Sequence, residues 1–113
     1  MSAAVPGIFV TGTDTGVGKT AVAAAVVCAL VAEGRRVGVL KPAATGASRI
    51  GGDWHCEDAE RLIAALGRDV PLARVAPLLY EEPLAPCVAA RRSGTPLLGG
   101  HVERVTAEAL AWW

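Results

Sequence analysis

Gly12-Thr13-Asp14-Thr15-Gly16-Val17-Gly18-Lys19-Thr20 is the stretch on which the fold of this chain turns. Ahead of it stands a short apolar, β-rich run, Ile8-Phe9-Val10-Thr11, and behind it an alanine- and valine-rich run with no Gly or Pro until Gly34. Strand, glycine loop, Gly-Lys-Thr and helix, in that order, form the setting in which a phosphate-binding loop is credible. The residue types have physical reasons. Glycines let backbone N–H groups turn inward around an anion, and the helix start adds a partial positive charge of roughly half a unit. Lys19 is expected to reach the terminal phosphates and the Thr20 hydroxyl to ligate Mg²⁺. The upstream glycine, Gly12, lies one residue further from Gly18 than the pattern G-x-x-x-x-G-K-[ST] requires, so the loop is a slightly longer variant. The competing reading is an ordinary glycine turn that caps a helix.

Working outward, residues 8–11 read as a buried parallel strand, a continuous apolar run stopped by glycine. Residues 19–33 read as a helix closed by Gly34 at the C′ position. That helix is apolar almost all round, so it is expected to be packed on more than one face. Val37-Gly38-Val39-Leu40 follows as a second apolar strand, and strand–helix–strand of this length is a βαβ unit. The fold class is therefore α/β, a P-loop NTPase-like parallel sheet flanked by helices. Lys41 then falls at the carboxyl end of a strand, where open α/β sheets bind ligands. A solvated strand end is the plain alternative for it.

Residues 42–56, rich in Gly, Ser, Thr and Ala, read as a mobile loop without periodicity. Helical spacing resumes over residues 57–66, with Leu62, Ile63 and Leu66 on one face and Gly67 as the stop. Asp58 lies in its first turn. It either compensates the helix dipole or faces the phosphates as a metal ligand, with Asp53 its competitor from the loop. Residues 75–80 are extended at most, because Pro77 argues against a central strand. Nothing after Leu40 reads as a convincing strand for a second metal-binding acid, and Glu81-Glu82 is a weak candidate. Residues 83–92 read as a proline-opened helix stopped by Gly94, and residues 101–113 as a last helix. His55 and His101 have no partner spacing and read as surface residues.

At 113 residues, with 52% hydrophobic side chains, the chain suits one folded domain rather than a disordered segment. Mean hydropathy is +0.40. Eleven basic and eleven acidic residues cancel, and no basic stripe appears, so nothing points to nucleic acid. Cys28, Cys56 and Cys87 are odd in number and lack metal spacing, which suits reduced thiols. No signal peptide is evident, and the apolar run over residues 21–32 is too short to span a bilayer, so a cytoplasmic location is expected. Trp112-Trp113 ends the chain on two rings that each bury roughly 150–250 Å² when packed. That ending suggests a helix running on into more protein, and the 113 residues are read as part of a single larger domain.

Four blocks, GTDTGVGKT (12–20), KPAATG (41–46), EDA (57–59) and EPLAPCVAAR (82–91), resemble dethiobiotin synthetase in content, order and spacing. The likeness takes in most of the chain but only about the N-terminal half of the family's domain. It implies an ATP- and Mg²⁺-dependent ligase of biotin biosynthesis. In that reaction 7,8-diaminononanoate takes up CO₂ as a carbamate, ATP phosphorylates it, and the second amine closes the cyclic urea of dethiobiotin. The resemblance assigns Lys19 and Lys41 to catalysis and Thr45 to the substrate. It assigns Gly16, Val17, Gly18, Lys19, Thr20, Ala21 and Asp58 to the nucleotide, with Thr20 and Asp58 as Mg²⁺ ligands. Gly16 stands where many members carry an acid, so that side-chain contact is missing. The family's next metal ligand follows on a strand beyond Trp113, and its active sites lie at a homodimer interface. The 113-residue chain alone is accordingly expected to have little activity. Two other readings are a P-loop switch ATPase of the partitioning and iron-protein class, and a non-catalytic binding fragment. Against the switch, Asp14 replaces the signature lysine expected four residues before Gly18.

Overall fold

The computed structural model describes residues 6–11, 18–95, 97 and 99–113. Residues 12–17, the body of the glycine loop, lie outside the described residues, and so do the contacts expected of Gly16 and Val17.

Alanine-rich sequence without a breaker gives α1, Lys19–Ala32. Gly34 ends it with φ of 79°, the left-handed conformation that only glycine adopts cheaply. The Gly34 N–H donates to the Val31 carbonyl at 2.9 Å and the Arg35 N–H to that of Leu30 at 3.1 Å. Packing on several faces is not what the structure gives. Val27 is buried, whereas Val22 is 56% and Val31 36% exposed. The reason is a shortage of neighbours: α1 packs chiefly on one element, α2 (Glu57–Leu66).

α2 has the boundaries that its periodicity predicts. Gly67 closes it at φ of 71°, and Ala59, Leu62 and Leu66 are buried on its inner face. Two short strands form the parallel sheet, β1 (Ala43–Ala44) and β4 (Leu78–Leu79), in register Ala43↔Leu78 and Ala44↔Leu79. Backbone bonds extend the pairing at both ends. The Lys41 N–H donates to the Val75 carbonyl at 2.7 Å, and the Ala47 N–H to that of Tyr80 at 3.0 Å. Both strands lie after Leu40, and neither carries an acid. Pro77 sits just outside the ladder, and β4 has one strand neighbour among the described residues.

Two expected strands are absent as strands. Residues 8–11 form no ladder, and Ile8 and Phe9 are 69% and 90% exposed. Residues 37–40 form none either, although Val39 is buried. Apolar, β-rich sequence supplies side chains for a sheet, but a strand exists only where a neighbour accepts its hydrogen bonds. Among the described residues no strand lies beside either run.

The loop expected at 42–56 contains an antiparallel hairpin, β2 (Ser48–Ile50) with β3 (Asp53–His55). Gly51 and Gly52, at φ of 61° and 87°, make its two-residue turn. Glycine pairs between short runs are a hairpin signal, and that signal stood in the sequence. α3 (Leu72–Val75) is one turn that delivers Val75, fully buried, to the sheet. α4 (Pro86–Arg92) begins at the second of two prolines, three residues later than expected, and stops before Gly94 at φ of 87°. α5 (Gly99–Trp112) completes the chain.

Small side chains make much of the core: Ala44, Ala47, Ala59 and Ala76 join Val39, Leu62, Leu66 and Val75 around the α1–α2 and β1–β4 contacts. Trp113 packs against this cluster. The Arg68 guanidinium lies 5.4 Å from its ring centroid, and that of Arg74 5.2 Å from Trp112. Of the two terminal tryptophans, Trp113 is packed on the core and Trp112 is 42% exposed.

Candidate functional site

Gly18 caps α1 in the left-handed conformation, φ 94° and ψ 18°, and among the described residues no side chain supplies a capping bond. The first turn holds no acidic residue. Its leading N–H groups therefore keep their affinity for an anion, as at other helix starts. Lys19 and Thr20, the first two residues of α1, are half-buried there, and Ala21 follows in the same turn.

The β1–β4 ladder fixes Lys41. Its N–H is tied to Val75, and the chain then runs through Pro42 into β1. The Lys41 side chain is one-third exposed, and its Nζ donates to Asp58 Oδ2 at 3.4 Å. Asp58 is the second residue of α2, among Glu57 and Glu60 in the first turn. The α2 helix thus orients the carboxylate, and the sheet orients the amine. The pair is a long, partly solvated ion pair, so its worth is positional more than energetic.

Thr45 follows β1 directly, half-buried between Ala44 and Gly46, which turns at φ of 72°. It lies at the carboxyl end of a parallel strand, the edge where α/β sheets take ligands. Asp53 begins β3 opposite Ile50. It lines a separate open cleft with Arg49, Trp54, Tyr80, Glu81 and His101, a cleft that touches none of Lys19, Thr20, Lys41, Thr45 or Asp58. Of the two candidate acids, Asp58 is the one that meets a second candidate residue. No hydrogen bond joins Lys19 or Thr20 to the Lys41–Asp58 pair among the described residues.

Thr20 and Asp58 offer a hydroxyl and a carboxylate, hard oxygen donors of the kind Mg²⁺ selects, so the donor chemistry fits that ion. His55 has a partner after all, its Nδ1 standing 3.3 Å from Glu60 Oε1. Glu82, read as a weak metal candidate, accepts from Arg92 Nε at 2.7 Å. Nothing in the spacing announced that ion pair, because a proline-flanked turn separates its two members. Cys28, Cys56 and Cys87 are free thiols.

Burial raises the Tyr80 hydroxyl above its ordinary value of 10.0. Tyr80 is the single tyrosine, so phenolate absorbance reports it alone. Its ionisation midpoint should lie above that of a free tyrosine in an ultraviolet titration and return to the ordinary value in urea. Because the folded state holds this proton longer, stability should fall once pH rises past 10, the unfolded value.

No described helix is long and apolar enough to cross a membrane. The chain is similar to the ATP-dependent dethiobiotin synthetase BioD of Ralstonia nicotianae, 43% identical over 89 residues, which cover 79% of this chain and 39% of the relative. It therefore spans about two fifths of the length of that curated relative. A family model described as an AAA domain matches residues 6–109. That match takes in the α1 start, Lys41, Thr45 and Asp58 together, and the chain belongs to this AAA-domain family of P-loop proteins.

Proposed function

We propose that this chain is the nucleotide-binding and substrate-activating portion of a dethiobiotin synthetase, one part of a single P-loop domain. The observation that carries the reading is the meeting of Lys41 and Asp58 at 3.4 Å across 17 positions of sequence. The family resemblance gives these two residues separate duties at one phosphoryl centre, and their contact supports a shared site. The similarity to the Ralstonia nicotianae enzyme supports the same assignment.

In this reading the α1 start and Lys19 grip the triphosphate of ATP. Thr20 and Asp58 would hold Mg²⁺, which neutralises phosphate charge when bound. Lys41 sits where the carbamate of 7,8-diaminononanoate meets the γ-phosphate and stabilises negative charge as the mixed anhydride forms. Thr45, at the end of β1, holds the substrate. The second amine then displaces phosphate to close the ring. Phosphoryl transfer is chiefly positioning and charge stabilisation, so two lysines, a hydroxyl and a carboxylate suffice for this half of the centre. The reaction takes place in the cytoplasm, on a homodimer, with diaminononanoate and CO₂ as small-molecule partners.

The test is a chimera in which this chain replaces the matching segment of the Ralstonia nicotianae relative. Dethiobiotin should form from diaminononanoate, bicarbonate and Mg-ATP, and the 113-residue chain alone should form little. Phosphate release that ignores the diamine and rises with a protein partner would instead favour the switch ATPase. Robust turnover by the chain alone would show that no further acid or strand is needed.

A further inference from the structure

We propose that the Glu82–Arg92 ion pair braces the turn that presents Thr45, making Glu82 and Arg92 positioning residues for the substrate. The substrate role of that turn rests on the function proposed above. The brace itself rests on geometry alone.

Tyr80 holds both ends of the turn. Its N–H donates to the Ala44 carbonyl at 2.9 Å, and its carbonyl accepts from the Ala47 N–H at 3.0 Å. Thr45 and Gly46 are the residues caught between. Gly46 is at φ of 72°, and a methyl group placed on it would lie 3.7 Å from Pro83 Cβ. Pro83 therefore lies beside the turn. Tyr80 and Pro83 thus flank the turn that carries Thr45.

The chain through these two residues has few anchors of its own. β4 ends at Leu79, and a tight turn follows in which the Leu84 N–H donates to the Glu82 carbonyl at 2.8 Å. The Glu82 carboxylate ties this turn to α4, accepting from Arg92 Nε at 2.7 Å. The helix is a firm support, because Ala89 and Ala90 are buried at 2% and 0% exposure. The bond is short and charge-assisted, and its planar donor fixes direction as well as distance. It closes residues 82–92 into a loop that begins two residues after Tyr80, whose backbone holds the Thr45 turn.

The test compares the wild-type chain with Glu82→Gln, Arg92→Gln and the charge-swapped double variant Glu82→Arg with Arg92→Glu. Amide exchange at Ala47, followed by nuclear magnetic resonance, reads the turn, and amides in α2 serve as the control. An exposed pair of this kind should speed Ala47 exchange about two- to fivefold in each single variant. The swap should restore it, and the α2 amides should not change. Unchanged Ala47 exchange in both single variants overturns the brace. A second measurement titrates 7,8-diaminononanoate and Mg-ATP separately. Weaker diamine binding in the single variants, with Mg-ATP binding unchanged and recovery in the swap, supports the positioning role. Faster exchange with diamine affinity unchanged overturns that role and leaves only a structural brace. If neither the wild-type chain nor the chimera binds diamine, the substrate reading fails, and Ala47 exchange alone decides the brace.

Discussion

Lys41→Ala, introduced into the active chimera, should cut the rate of dethiobiotin formation about 100- to 1,000-fold, the loss seen when one preorganised charge is taken from a transition state. ATP affinity should stay within about threefold of the parent, because an interaction made only in the transition state costs turnover and not ground-state binding. The structure gives the reason for that split. Lys41 is held from the sheet side, by its backbone bond to Val75, and meets Asp58 at its far end. It is not part of the α1 start, where the nucleotide phosphates are gripped in the proposed reading. Removing it leaves Gly18, Lys19 and Thr20 in place. Lys41→Arg should recover little, since a planar guanidinium cannot put a compact charge at the same point. Equal losses in ATP affinity and turnover would make Lys41 a nucleotide contact. An unchanged kcat would make it a passive strand end.

The parts of this chain that were legible in its sequence are those that local chemistry decides. α2 could be placed to the residue because its apolar spacing, acidic first turn and closing glycine all agree. The pairing of Lys41 with Asp58 was half legible: each was singled out, but no spacing rule joins residues brought together by a sheet and a helix. The strands were misplaced for a different reason. Residues 8–11 and 37–40 have the composition of buried strands, yet composition cannot supply a hydrogen-bonding neighbour. Conversely, Ala43-Ala44 looks undistinguished and Leu78-Leu79 reads as extended at most beside Pro77, yet they pair because α3 and the Lys41–Val75 bond bring them alongside. The Gly51-Gly52 hairpin was legible and overlooked, since the surrounding glycine- and serine-rich composition reads as loop. The Glu82–Arg92 pair had no signal at all.

Gly38 offers the sharpest test of how the core is closed. A Cβ placed there would stand 2.7 Å from Trp113 Cδ2 and 2.8 Å from Cγ, closer than real contacts allow. Its φ lies outside the left-handed region, so alanine suits the backbone, and the nearest obstacle is the Trp113 side chain, its Cβ included at 3.1 Å. Gly38→Ala should therefore destabilise the chain by about 1–3 kcal/mol, the usual cost of overpacking a filled site. For a domain near this length that lowers Tm by about 4–8 °C per kcal/mol. Among the described residues the Trp113 Nε1 is buried without a hydrogen-bond partner, and the ring is held by apolar contact and by Arg68. In a Trp113→Gly background, which removes the Cβ as well as the ring, the obstacle is gone. There Gly38→Ala should be neutral or stabilise by about 0.4–1 kcal/mol, because the new methyl restricts the unfolded chain. Urea unfolding of the four proteins completes the cycle, and the coupling should reach at least about 1 kcal/mol. Equal costs in the two backgrounds would mean that Trp113 does not fill the space over Gly38. The packed tryptophan end, and with it the cover over residues 37–40, would then have to be abandoned.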